Sequence, residues 1–385
     1  MDVFFTTDQL SLRSRLARWV KEEVYPLGSQ EDDPERQVRL FLRLLSANGF
    51  LGYTIPRAYG GRDETVQARA LCLIREALAE GSALADLAFA TQALGSYPIT
   101  LAGSDALKQR YLPRVASGEA ITAFALTEAQ AGSDVVAMQS RAVKKGGEYI
   151  LNGEKRFISN AGVASVYTVF AKTDPEQGPR GLSAFVIDSE TPGFSVKELT
   201  RVMAPHPIGI VAFEDCRIPE DHLIGTEGQG LAIALQTLDL LRPTVGAAAC
   251  GLANRALNEA LHYASHRKQF GKSLAEFQAI QLKLADMATE LDAARLLVYR
   301  AAWAKDQTGG EARIEASMAK LFATEAAQEI IDQALQIHGG VGVVVGSAVE
   351  RLYREVRALR IYEGTSEIQR LQIAKELLRK VKREV

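Results

Sequence analysis

A heptad seam constrains this chain more than any other feature. Phe277, Ile280, Leu284, Met287, Leu291, Ala294, Val298 and Ala301 are spaced alternately by three and four residues. Apolar residues at that period line one helix face. A seam this long requires a long helix packed against near-antiparallel neighbours. The chain from 229 to 385 is therefore read as a helical bundle. Residues 1–118 also read as helical. Leu12, Leu16, Trp19 and Val20 recur at helical spacing before Pro26, and "VRLFLRLLSANGFLG" ends on an Asn48-Gly49 stop. More Ala- and Leu-rich helix fills 64–118, with a break expected near Ser96-Tyr97-Pro98. Between these blocks, 119–228 changes character. "EYILNGEKRFIS" reads as two strands joined by a hairpin turn at Asn152-Gly153, and "VYTVFAKT", "LSAFVIDS" and "IVAFEDCRIP" are further β-rich runs. The expected class is α+β, mainly α: a helical N-terminal domain (1–118), a central antiparallel β domain (119–228) and a helical C-terminal domain (229–385).

Composition closes several functional classes. A net charge of −2 offers neither nucleic acid nor an anionic membrane an electrostatic partner. Cys72, Cys216 and Cys250 lie far apart, outside any C-x-x-C arrangement, which argues against a disulfide framework and suits a reducing cytoplasm. Only His262 and His266 share a helical face, without the acid of an H-E-x-x-H motif, so no metal site is expected. The longest apolar stretch, around 231–252, contains Asp239 and Arg242, which excludes a membrane span there. The N-terminus has acids and helical periodicity where a signal peptide would not, and a cytoplasmic protein is expected.

Two glycine-rich stretches imitate nucleotide sites. "GGVGVVVG" (339–346) has the glycines of a dinucleotide fingerprint, but "AAQEIIDQALQIH" before it has a helical period where a strand is required. "FGKS" (270–273) resembles the end of a phosphate-binding loop, yet His266 stands at the required first glycine. Neither carries the motif's chemistry.

Five other stretches do carry chemistry: "FALTEAQAGSD" (124–134), "NGEKRFISNAG" (152–162), "HRKQFGKS" (266–273), "QIHGGVG" (336–342) and "IYEGTSEI" (361–368). Together, in this order and over essentially the whole chain, they resemble the blocks of the flavin-dependent acyl-CoA dehydrogenase family. The resemblance implies a C-terminal four-helix bundle, FAD held between the β domain and the bundle, and a homotetramer or homodimer. Carried onto this sequence, Thr127 with Phe124, Leu126 and their backbone looks like a partner for the flavin's pyrimidine edge. Phe157 would cover one isoalloxazine face, and Ser159 would bond near N5. Arg267, Gln269 and Phe270 would reach the FAD diphosphate of a neighbouring subunit. Gln336 and Gly340 would meet the adenosine side, the glycine for want of room. Thr365 would also contact FAD, and Glu367 is either a cofactor-edge contact or an ordinary helix acid. Ser133, Asp239, Arg242 and Gly364 would contact the thioester substrate.

The activity so implied is α,β-dehydrogenation of an acyl-CoA. Glu363 would take the α-proton, hydride would pass to FAD N5, and electrons would go on to an electron-transfer flavoprotein. The chemistry asks for a carboxylate whose proton affinity is raised by burial. In one branch of the family the base stands one residue before the arginine matched by Arg242. That position is Leu241 here, which leaves Glu363. Three positions depart from the usual pattern: Ala129-Gln130 for Pro-Gly, Phe157 for tryptophan, and Val343 for an aromatic. The rival readings are the same chemistry, or enoyl reduction, on a carrier-protein-bound acyl group, and a non-catalytic protein on the same fold.

Overall fold

The computed structural model describes residues 2–28, 33–308 and 312–384. The N-terminal helices are α1 (Thr7–Trp19), α2 (Pro34–Ala47), α3 (Ala68–Gly81), α4 (Ala83–Ala102) and α5 (Asp105–Ala116). Local chemistry sets several of their ends. Thr6 and Gln9 form a capping box on α1, and Asp33 caps α2 with Pro34 in its first turn. α2 stops at Asn48, with Gly49 at φ 72°. The break expected near Ser96-Tyr97-Pro98 is absent, because α4 runs straight through Pro98. The neighbouring glycine has another purpose: a Cβ on Gly95 would lie 2.6 Å from the Thr122 Cβ, and the Gly95 carbonyl accepts the Thr168 hydroxyl at 2.7 Å.

The strands follow as β1 (Thr122–Ala125), β2 (Arg141–Lys145), β3 (Glu148–Ser159), β4 (Val166–Lys172), β5 (Leu182–Asp188), β6 (Phe194–Leu199), β7 (Ile208–Pro219) and β8 (Leu223–Ile224). The sheet order is β6-β7-β3-β2-β4-β5-β8, with β1 added beside β4. Its pairings are antiparallel except β1 and β2 against β4. The hairpin turn is not at Asn152-Gly153, since β3 passes through both. It is at Gly146-Gly147 between β2 and β3, with φ 59° and 85°. Gly153 answers a packing demand, because a Cβ there would fall 2.4 Å from Ser140 Oγ. Phe170, Leu182, Val186 and Ile224 of the sheet share one core with Leu107, Tyr111, Leu112 and Val115 of α5.

The C-terminal elements are α6 (Gly230–His266), a hairpin of β9 (Lys268–Gln269) and β10 (Lys272–Ser273), α7 (Gln278–Thr308), α8 (Arg313–His338), α9 (Ala348–Val356) and α10 (Ser366–Glu384). Met287, Leu291, Ala294, Val298 and Ala301 of the seam are buried along α7. Phe277, Ile280 and Leu284 at its start are only half-buried. α6 approaches α7 closely at Gly246, where a Cβ would lie 2.7 Å from Val298 Cγ2. Asp306, near the end of α7, accepts from the N–H groups of Ala68 and Arg69 at 2.6 and 3.3 Å, a remote cap for α3.

The chain forms two compact units. One takes its residues from 1–30, 68–86 and 239–385, the other from 31–67 and 87–238. They are called here the helical unit and the sheet unit. Among the described residues no helix is long and apolar enough to cross a membrane, and no group of metal-ligating side chains is present.

Candidate functional site

In the sheet unit, the chain leaving β1 runs beside β3. The Arg156 N–H donates to the Thr127 carbonyl at 2.8 Å. Lys155, fully buried, donates to the Leu126 carbonyl at 3.2 Å and to Glu128 Oε1 at 2.8 Å. The same carboxylate accepts from the Gln139 and Ser140 N–H groups, so one buried ion pair closes the 126–140 loop. Burial, opposed by Glu128, lowers the Lys155 ammonium to about 8. Lys155→Met strands Glu128 in the core and is expected to cost about 3 kcal/mol, read as a lower denaturant midpoint.

Phe157 occupies a β-bulge. The register of β3 against β7 shifts between Lys155 and Ile158, and Phe157 adopts φ 56°. Its ring is 51% exposed, with the Arg156 guanidinium 5.1 Å from the ring centroid. A bulky residue in the left-handed region costs on the order of 1–2 kcal/mol, and bulges re-aim side chains beside functional sites. Ser159 lies just beyond, in register with Ile208. Phe124 packs its ring against Phe170 with centroids 4.9 Å apart, and pairs with Thr168 of β4. Leu126 is buried, and Ser133 is exposed on the loop. An exposed aromatic face, the Thr127 and Ser159 hydroxyls and the backbone at the end of β1 are a donor set that fits a flavin ring.

In the helical unit, Glu363 stands at φ 54° and Gly364 at φ 93°. Four side-chain contacts converge on their two carbonyls. Arg242 Nε approaches Glu363 O at 3.4 Å, and Gln369 Nε2 donates to Glu363 O and Gly364 O at 3.2 and 3.1 Å. Lys320 Nζ donates to Gly364 O at 2.8 Å. Trans peptides then turn the N–H groups of Gly364 and Thr365 the other way. The Glu363 carboxyl keeps one buried oxygen, Oε2, without a hydrogen-bond partner. Burial pushes its proton affinity above the ordinary glutamate range, against the opposing pull of Arg75, Lys320 and Arg242. A part-buried carboxyl with a free oxygen and raised affinity can exchange a proton with a bound ligand.

The neighbouring expected residues divide into two groups. Arg242 bonds Asp239 at 2.6 Å, and Asp239 also accepts from Arg313 at 3.0 Å. Thr365 caps α10, accepting from the Ile368 N–H at 3.3 Å. Glu367 lies on the surface of that first turn, 3.9 Å from Arg370. Elsewhere in the unit, Arg267, Gln269 and Phe270 belong to the β9–β10 hairpin, ahead of α7. Phe270 is at its tip, 94% exposed at φ 51°. Tyr263 stacks on His338 with centroids 4.3 Å apart, which brings the root of this hairpin beside the end of α8, where Gln336 and Gly340 are exposed. Gly340 is not crowded within the chain, as a Cβ there would meet nothing within 4 Å. The close approach is at Gly342, where a Cβ would lie 2.5 Å from the Leu335 carbonyl oxygen. An exposed arginine beside open glycine backbone fits a diphosphate ligand.

Sequence reasoning missed Lys155, Lys320, Arg75 and Asp86. Arg75 and Asp86 form a buried bidentate pair at 2.7 and 2.8 Å, and Arg75 also donates to Thr244 at 2.9 Å. A signal existed for Lys320, a cation in a stripe with Ala316, Ala319, Ala323 and Ala327, where a solvated lysine has no place.

Comparison with known proteins bears on this arrangement. Family models for the acyl-CoA dehydrogenase N-terminal, middle and C-terminal domains match residues 6–119, 123–216 and 228–378. The 3-(aryl)acrylate reductase of Clostridium sporogenes is 41% identical over 379 residues, covering 97% of this chain and 100% of that protein. The caffeyl-CoA reductase-Etf complex subunit CarC of Acetobacterium woodii is 40% identical over 339 residues, 86% of this chain and 88% of that one. The solved structure of butyryl-CoA dehydrogenase from Megasphaera elsdenii is similar at a TM-score of 0.91 and 34% identity, covering 97% of this chain and 99% of that one.

Proposed function

Given that this chain belongs to the acyl-CoA dehydrogenase family, an enzyme with FAD as its cofactor, we propose that it oxidises the Cα–Cβ bond of an acyl-CoA thioester with Glu363 as the proton acceptor. The observation that carries this reading is the Glu363 carboxyl, with its unpartnered buried oxygen and raised proton affinity on a left-handed turn. In this reading Thr127, Phe157 and Ser159 of the sheet unit would hold the flavin ring of FAD. Arg267, Gln269 and Phe270 would meet its diphosphate and Gln336 and Gly340 its adenosine side, from this chain or a second copy. Bound FAD supplies the two-electron acceptor that lets the β-hydrogen leave.

This chain's residues manage the proton and the thioester. The Glu363 carboxylate takes the α-proton. Its own peptide N–H is offered to the negative charge that grows on the thioester oxygen. Ser133, Asp239 and Arg242 help hold the ligand. Electrons pass to an electron-transfer flavoprotein, a partner type that the Acetobacterium woodii relative's name includes. A second reading runs the same step backwards, Glu363 returning a proton to the α-carbon of an enoyl thioester. The identity to two proteins named as reductases favours it.

Anaerobic titration of the yellow protein with a panel of acyl-CoA thioesters should bleach the flavin with at least one of them. Re-oxidation of the reduced protein by enoyl-CoA measures the reverse direction. The base must be ionised to act. Since burial raises its proton affinity, the bleaching rate should climb with pH through a midpoint above the ordinary glutamate range. A bleaching rate with no acid limb, unchanged by pH, would remove Glu363 from the role.

A further inference from the structure

Glu363 sits in a backbone conformation that glutamate rarely adopts, so something must hold it there. Gly364 does not hold it, being itself left-handed and free to relax. Gln369 is neutral and splits its one donor nitrogen between two carbonyls at 3.2 and 3.1 Å. The shortest contact is from Lys320, at 2.8 Å to the Gly364 carbonyl. That lysine reaches it from within α8, where its side chain is buried among alanines. A buried ammonium is costly to keep, and the pair it serves should account for it.

We propose that Lys320 is a positioning residue for the base: its ammonium holds the Gly364 carbonyl, and with it the left-handed turn that aims Glu363, while its charge biases that carboxyl toward the ionised form. The inference rests on Glu363 being the proton acceptor. Other charged groups face the same carboxyl, and the balance among them is specific. Arg75 from α3 and Arg242 from α6 add positive charge, and Asp86 from α4 adds negative charge. Lys320 itself faces Glu363, Arg242, Glu325 of its own helix and Glu367 of α10. Among the cations, only Lys320 grips the carbonyl on the C-terminal side of Gly364, so it alone couples charge to the shape of that peptide. Burial lowers its ammonium to about 8, so it remains a cation through the acid and neutral range in which the base would titrate.

The test compares holoenzymes carrying Lys320→Met and Lys320→Gln. Hydrogen exchange of the 361–369 segment reads the clamp without any substrate. Exchange there should quicken in Lys320→Met and stay near wild type in Lys320→Gln, which keeps a donor. The pH profile of acyl-CoA bleaching reads the charge. Its acid limb should move to higher pH in both variants, because both lose a cation that favours the carboxylate. In Lys320→Met the maximal rate should also fall roughly 10–100-fold, the loss of one hydrogen bond to a charged group, with KM little changed. A variant that lowers thermal stability but leaves the acid limb and the local exchange at wild-type values would overturn the proposal. If Lys320→Met does not fold, an unmoved acid limb in Lys320→Gln overturns it equally. Absence of bleaching in the wild-type protein would sink the proposed function instead, and the exchange result would still judge the clamp.

Discussion

Glu363→Gln should retain FAD and lose acyl-CoA-dependent bleaching by roughly 10²–10⁴-fold or to the detection limit, the range removed with a general base. The amide matches the carboxyl in size, so the left-handed turn and its donors from Arg242, Gln369 and Lys320 have no reason to shift. In the proposed reaction, what disappears is the acceptor for the proton. No neighbour can replace it. Glu367, one turn into α10, is exposed and held below the ordinary glutamate range, first by hydrogen bonds from its own backbone N–H and from Thr365. Leu241, at the alternative place for a base, is buried and apolar. Stopped-flow bleaching under anaerobic conditions, with the visible spectrum as the control for bound flavin, decides the matter. Bleaching at the wild-type rate would assign the proton to another group.

Arg75→Met should lower stability by about 3–5 kcal/mol, among the largest effects a single substitution in this chain can have. The guanidinium meets Asp86 through two parallel hydrogen bonds and Thr244 through a third, with side-chain exposures of only 2% and 7% for the ion pair. Removing the cation leaves a carboxylate in the core with no counter-charge. Removing both partners is far milder, since an apolar pair of similar volume incurs no desolvation. Arg75→Met combined with Asp86→Leu should therefore recover much of the loss. Denaturant midpoints at fixed protein and FAD concentration measure both variants. A single-variant loss below about 1 kcal/mol would mean that the pair is hydrated in solution.

What sequence reading captured and what it missed divide by the range of the interactions. The seam from Met287 to Ala301 was readable because a helix reports its buried face in every turn. The strands of the middle segment announced themselves by composition. Glycines and prolines misled, because a local rule has to guess why the residue is there. Asn152-Gly153 resembles a turn, yet Gly153 is needed because Ser140 lies against it; Gly95 is needed because Thr122 does. Pro98 reads as a break, yet α4 continues through it. The motif carries the candidate base and Arg242 is named with it, but not the buried cations Lys320 and Arg75 beside it. Lys155 and Glu128 are 27 residues apart, and Lys320 and Gly364 are 44 apart, so no window of sequence contains both partners. Backbone geometry supplies a different kind of signal. Among the described residues, three of the five non-glycine residues with positive φ, Phe157, Phe270 and Glu363, lie in the motifs that the sequence shows.

The left-handed turn at Glu363 also bears on how such a chain would age if selection for chemistry were relaxed. A glutamate there works against the backbone preference by about 1–2 kcal/mol, whereas glycine, or more modestly asparagine, would suit the same φ. Thermodynamic drift and enzymatic usefulness therefore pull this one codon in opposite directions. If Glu363 is the proton acceptor proposed above, copies freed from catalytic duty should shed the carboxylate early and become sturdier scaffolds, while copies that retain it advertise its continued use.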